Sequence, residues 1–233
     1  DPGIVTGPPA ITWQAAFWAG DLNPGDGNAV AQWNDRSGNG RHLTQGTPTN
    51  RPTWRASAIN GQPVVEFDGS NDYLRTATWV AVSQPVSYVV VFRTKGSVGS
   101  ATSSFFIVDG AESSKPMAFY WSILPSSNVW TLYSDVAEGS ATTTVATNTT
   151  YATRCLFNGA SSALNVNGNA QTVTGNPGSG QSTGMTLGAK RDNTASAPIY
   201  VAFAGLYVGD VTSDPAWAAF QSWAQLHFGV TLG

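Results

Sequence analysis

The sequence predicts an all-β chain: a two-sheet antiparallel β-sandwich closed by one short C-terminal helix. Three observations carry that expectation. Only 11% of the 233 residues are charged, whereas 41% are hydrophobic, enough for a substantial core. β-branched and hydroxyl residues abound beside Gly and Asn, which suits strands joined by polar turns. Helical spacing of apolar residues occurs at the C-terminus, after a run of strand-like segments.

In chain order, residues 1–9 hold three prolines and two glycines, which predicts a linker over 1–10 and a folded domain over 11–233. Residues 11–19, with Trp13, Phe17 and Trp18, read as the first strand. A polar turn follows at Asp35-Arg36-Ser37-Gly38-Asn39-Gly40, and residues 63–67 form a strand running into the turn Asp68-Gly69-Ser70-Asn71-Asp72. Residues 86–93 make the clearest strand, and its run Val89-Val90-Val91-Phe92 predicts burial on both faces. A loop of small residues, 96–104, leads to a strand at 104–109. Residues 117–123 and 129–134 read as a hairpin across 124–128. Alternation places Phe119 and Trp121 on one face and Tyr120 on the other. In its second strand Trp130 and Leu132 oppose Thr131 and Tyr133. Strands at 142–147 and 149–157 follow, then an Asn167-Gly168 hairpin, a polar loop at 175–184, and late strands at 185–189 and 200–210. Ser213-Asp214-Pro215 offers a cap for a helix carrying Trp217, Phe220, Ala224 and Phe228, ended by Gly229.

A net charge of −3 with three lysines gives no footprint for nucleic acid or an anionic membrane. No apolar run approaches the roughly 18 residues of a membrane span, so membrane insertion is not expected. The lone Cys155 excludes an internal disulfide and a cysteine zinc site, and its strand context predicts a buried structural thiol. Lacking an initiator Met and a signal peptide, the chain reads as a processed or excised piece.

Two segments carry a family likeness: Trp33-Asn34-Asp35-Arg36-Ser37-Gly38-Asn39-Gly40, and Asn60-Gly61-Gln62-Pro63-Val64-Val65-Glu66-Phe67-Asp68-Gly69-Ser70-Asn71-Asp72-Tyr73-Leu74. Together, in this order, they resemble the laminin-G-like domains of the concanavalin A-like lectin/glucanase superfamily. The resemblance implies a two-sheet jelly roll of about this length. Such a fold hosts lectins, adhesion modules, glycosidases and lyases, so it implies no single activity.

Glycosidase chemistry needs a pair of carboxylates, and the chain has three glutamates: Glu66, Glu112 and Glu138. The glucanase branch carries Glu-x-Asp-x-x-Glu, or a one-residue variant, on one strand, where the acids serve as nucleophile and general acid. Glu66-Phe67-Asp68 begins that pattern, but Asn71 and Asp72 stand where a glutamate is required. Asp68 is therefore expected to cap a turn. Lyases of this fold combine His, Tyr, Arg and Gln, and neither His42 nor His227 lies in a strand beside Arg and Tyr. No catalytic residue is assigned, and an enzyme is not expected. Asp21, Asn23 and Asp26 gather oxygen ligands within one loop and are candidates for calcium, with an ordinary polar turn as the alternative. Asp68, Asn71 and Asp72 pose the same choice, with turn-capping favoured.

Sugar rings stack on aromatic faces, and their hydroxyls pair with amides and carboxylates. The ligand-binding candidates are Tyr120, Trp121, Trp130 and Tyr133 in the central hairpin, with Trp54 and Trp79 in loop-like contexts; each is otherwise a core residue. The leading expectation is a non-catalytic carbohydrate-binding or adhesion module, extracellular or on a virion surface such as a phage tail or capsid. Its partner would be a surface glycan or cell-wall polysaccharide. The alternatives are a structural decoration domain contacting other virion or surface protein chains, and a glycan-cleaving hydrolase or lyase with an unrecognised site.

Overall fold

The computed structural model describes residues 7–96, 103–112, 117–124, 127–135 and 137–233. Its strands, in chain order, are β1 (Ala15–Trp18), β2 (Gln32–Trp33), β3 (Leu43–Thr44), β4 (Thr53–Ile59), β5 (Gln62–Asp68), β6 (Leu74–Thr76), β7 (Val86–Thr94), β8 (Ser103–Asp109) and β9 (Met117–Leu124). They continue as β10 (Ser127–Ser134), β11 (Ala137–Thr144), β12 (Thr150–Phe157), β13 (Ala163–Val166), β14 (Asn169–Gln171), β15 (Val173–Thr174), β16 (Thr186–Leu187) and β17 (Pro198–Val208). One helix, α1 (Trp217–Phe228), follows.

The strands form two antiparallel sheets. An eight-stranded sheet runs β14-β13-β12-β7-β17-β5-β4, with β1 added against β17, and a nine-stranded sheet runs β15-β11-β10-β9-β8-β16-β6-β3-β2. Between them lies the main core, with Phe67, Tyr88, Phe92 and Phe157 from the first sheet and Leu74, Phe119, Trp121, Trp130 and Leu132 from the second. The Phe92 ring meets Trp130 at 5.7 Å and Tyr151 at 5.8 Å between ring centres, and Trp130 meets Tyr151 at 5.0 Å. Aromatic pairs at these spacings add to the effect of burial.

A second core covers the outer face of the eight-stranded sheet. Trp217, Phe220, Trp223, Ala224 and Phe228 of α1 pack over Val89, Val91, Ala152 and Phe203, together with Ile11 and Trp13. Thus β7 is buried on both sides, as its uninterrupted apolar run requires. Asp214 ties the layer together: its Oδ1 accepts from Ala216 N (2.9 Å) and its Oδ2 from Thr12 N (3.2 Å). Among the described residues no helix covers the outer face of the nine-stranded sheet.

Both family-like turns are carboxylate hubs. Asp35 Oδ1 accepts from the backbone of Ala16 and Ser37, while its Oδ2 accepts from Ser37 Oγ and Arg41 N. Asp68 Oδ1 accepts from the N–H groups of Ser70, Asn71 and Asp72, and Asp72 Oδ2 accepts in return from Asp68 N. These bonds satisfy backbone donors that tight turns otherwise leave unpaired. The Asn167-Gly168 hairpin has both residues at positive φ, 49° and 81°, as a two-residue turn matched to strand twist needs.

Several boundaries differ from expectation. The first strand starts at Ala15, because Ile11 and Trp13 cross the outer face of the sheet instead of joining it. The strand expected at 142–147 lies earlier, at Ala137–Thr144: pairing with β10 holds Glu138, Gly139 and Ser140 extended despite their weak strand preference. Trp54 is not in a loop but on β4, where its Nε1 donates to Ala19 O (3.0 Å). Cys155 is buried, and burial pushes its thiol pKa up. Of the linker expected over 1–10, residues 1–6 lie outside the described residues, as do 97–102 of the small-residue loop and 125–126 of the hairpin turn.

Candidate functional site

The open side of the nine-stranded sheet is assembled by register. Phe106 on β8 stands opposite Tyr120 on β9, Tyr120 opposite Thr131 on β10, and Thr131 opposite Ser140 on β11. In a neighbouring row Tyr133 stands between Ala118 and Glu138. Because side chains alternate along each strand, these residues face away from the main core. Phe106, Ala118 and Tyr120 form a small apolar cluster of their own, packed by Tyr133 and Ala195. The Phe106 and Tyr120 rings are stacked, with centres 4.6 Å apart.

A wall rises over this floor from the turn after β16. Lys190, Arg191, Thr194 and Ala195, with Ser104, Phe106, Tyr120, Tyr133 and Glu138, enclose a cleft of about 320 Å³. Three anchors hold the wall. Arg191 Nη1 reaches both Asp109 oxygens (3.2 and 3.0 Å), and its backbone N donates to Asp109 Oδ2 (2.9 Å). From β6, Arg75 donates to Thr186 Oγ1, Arg191 O and Asn193 Oδ1 at 2.6–2.9 Å. Phe106 N donates to Ala195 O (3.2 Å). Ala195 takes a left-handed φ of 52°, a conformation that costs a residue bearing a Cβ about 1–2 kcal/mol.

Electrostatically the cleft is mixed. Tyr120 OH donates to Glu138 Oε1, and burial, reinforced by Glu138, pushes the Tyr120 pKa up, so the phenol stays a donor. Burial likewise raises the Asp109 pKa, with Arg191 opposing it. Lys190 pairs with Asp192 at 3.0 Å. Burial works against ionisation of Asp192, but bonds from Thr194 and Lys190 outweigh it and bring its pKa down to about 2. The arrangement offers a stacked aromatic floor with carboxylate, ammonium and hydroxyl groups at the rim.

The four aromatic candidates divide. Tyr120 and Tyr133 line the cleft. Trp121 and Trp130 do not: both are 0% exposed, turned by the same alternation into the core between the sheets, where no ligand can stack on them. Phe106, Glu138, Lys190, Arg191 and Thr194 were not singled out as site residues by sequence. For the loop residues the local signal is only a polar turn, Lys190-Arg191-Asp192-Asn193-Thr194.

Two of the three calcium candidates, Asp21 and Asp26, take hydrogen bonds from the protein. Asp21 Oδ2 accepts from Arg36 Nη1 (2.8 Å), and Asp26 Oδ1 accepts from Ala56 N (2.9 Å). Among the described residues no three His, Cys, Asp or Glu side chains gather as a metal site. Glu66, on the eight-stranded sheet away from this cleft, is paired with Arg55 and Lys95. His227 is buried on α1, its Nδ1 2.9 Å from Trp223 O.

Neither a protein-family model nor a curated protein matches the chain by sequence. Solved structures do match in fold. Domain 4 of AbnA, a GH43 extracellular arabinanase from Geobacillus stearothermophilus, solved with arabinotriose, superposes at a TM-score of 0.56 over 92% of this chain and 99% of its own, with 12% identity. A GH54 α-L-arabinofuranosidase gives 0.59 over 88% and 52%, with 14% identity. The receptor-binding domain of botulinum neurotoxin type G gives 0.57 over 86% and 49%, with 12% identity. The chain thus spans about half the length of the last two. At such identities the likeness establishes a shared β-sandwich fold.

Proposed function

We propose that this chain is a carbohydrate-binding module of the concanavalin A-like, laminin-G-like type, and that it binds without catalysis. It would present its open sheet to a neutral surface glycan or cell-wall polysaccharide, outside a cell or on a virion. The observation that carries this reading is the cleft over Phe106, Tyr120 and Tyr133, an aromatic floor within reach of Glu138, Lys190 and Thr194. Pyranose and furanose rings are apolar on their faces and hydroxylated at their edges, so stacking below and hydrogen bonding at the side match both. The arabinanase domain solved with arabinotriose supports the reading, since it is matched over nearly its whole length.

Among the described residues the cleft lining supplies one carboxylate, Glu138, whereas glycoside hydrolysis ordinarily uses two. That favours binding over cleavage. A hydrolase or lyase remains the second reading, because Glu138 and the Tyr120 hydroxyl do meet in the cleft.

The test is calorimetric titration with neutral oligosaccharides, arabinotriose among them. Tyr133→Ala and Glu138→Gln are each expected to weaken binding about tenfold or more, the scale of an interface anchor, with little change in melting temperature. No binding across the panel would reject the reading. Release of reducing ends or unsaturated products, abolished by Glu138→Gln, would replace it with the enzymatic one.

A further inference from the structure

A second cleft, of about 380 Å³, lies between the Asp35 turn and the end of β6. Asn39, Arg41, His42, Thr44 and Trp79 line it, and none of them lines the first cleft. Thr44 stands opposite Arg75 across β3 and β6, and Arg75 holds the wall of the first cleft, so the two clefts flank Arg75.

The donor groups here are set in place. The Arg41 guanidinium lies over the Trp79 ring, 4.4 Å from its centre. Trp79 is itself pinned by its Nε1–H to Ser182 O (3.1 Å). The Gln14 amide oxygen, assigned from its hydrogen-bonding surroundings, accepts from both η nitrogens of Arg41. His42 Nδ1 accepts from Asp35 N (3.1 Å), so a neutral ring carries its proton on Nε2.

Among the described residues the cleft lining holds no carboxylate, and Arg41 enters no salt bridge. Burial pushes the Arg41 pKa down, against the pull of Asp35: the guanidinium has lost water without a direct anionic partner. A planar donor lying over an aromatic ring is suited to a carboxylate or sulfate.

We propose that this second cleft binds an anionic group carried by a saccharide, a uronate carboxylate or a sulfate ester, through Arg41 and His42. Asn39 and Thr44 would take ring hydroxyls. The site is separate from the neutral-sugar cleft and stands or falls independently of it.

Titrations with trigalacturonate, its methyl ester, a sulfated oligosaccharide, free acetate and free sulfate test the proposal. Trigalacturonate or the sulfated sugar is expected to bind at low ionic strength and to weaken as salt is added; which of the two binds identifies the anion. Arg41→Gln is expected to weaken binding at least tenfold and Arg41→Lys less. Tyr133→Ala is expected to leave it unchanged, although that variant loses the neutral ligand. In the unmodified protein, binding is expected to shift the Trp79 indole N–H resonance, which reads the site even if Arg41→Gln folds poorly. Absence of binding, equal affinity for the methyl ester, binding indifferent to Arg41→Gln, or equal affinity for acetate or sulfate alone would each overturn the proposal.

Discussion

Two tryptophans and a tyrosine on one hairpin show how much a single position decides. Trp130 makes no hydrogen bond through its buried Nε1, so packing against Phe92, Phe119 and Tyr151 holds it. Trp130→Ala is expected to cost about 3–5 kcal/mol, the range for large-to-small changes in a core. Urea unfolding checks this as a lower midpoint at an unchanged slope. Asp72 has the opposite character. Burial raises its pKa to about 6; Asp68 N donates to it and lowers the value, and the Asp68 carboxylate raises it. A carboxyl with a raised folded-state pKa binds its proton more tightly folded than unfolded. Its contribution is fullest below pH 4 and is lost as pH rises towards 6. Asp72→Asn keeps an oxygen acceptor for Asp68 N and removes the charge. It is expected to stabilise the protein at pH 7 by about 1–2 kcal/mol and to flatten the pH dependence between about 4 and 6. Thermal melts across that interval measure both.

Among elements, the turn after β16 does most to shape the first cleft. It comes from a part of the chain remote from β9 and β10, and Arg75, 116 residues before Arg191, braces it. Arg75→Ala removes donors to Thr186, Arg191 and Asn193 together. The expected result is a loss of stability of about 1–3 kcal/mol, as for charged hydrogen-bond donors removed from partly buried partners, with a larger proportional loss of neutral-sugar affinity than the exposed Glu138→Gln produces. Melting curves and titrations on the same sample separate the two effects. This wall explains what local sequence could not convey. Alternation correctly sorted Tyr120 and Tyr133 from Trp121 and Trp130, because a period of two is local. Which set faces the core depends on what covers each side of the sheet, and that is set by chain far away. Glu138 was hidden for another reason: Glu138-Gly139-Ser140 has little strand preference of its own, and its place follows from pairing with Tyr133, Leu132 and Thr131.

At the scale of the molecule, the sandwich and its closing helix were legible because their signals are repetitive: apolar runs bounded by turn residues, then one stretch of helical spacing ended by Gly229. The uninterrupted Val89–Phe92 run even announced a strand covered twice. The asymmetry between the sheets was not legible. α1 and the segment around Trp13 cover one sheet, while among the described residues no helix covers the other, and no single segment encodes that choice. It has a practical consequence. Ile11 and Trp13 near the beginning of the described chain, and Val230 and Leu232 near its end, all pack on the covered side. A tether attached on that covered side starts from behind the open sheet. Copies anchored in that way to a bead, a sensor chip or a larger assembly would point their clefts outward together. Many weak single contacts could then add up to firm attachment to a repeating polymer.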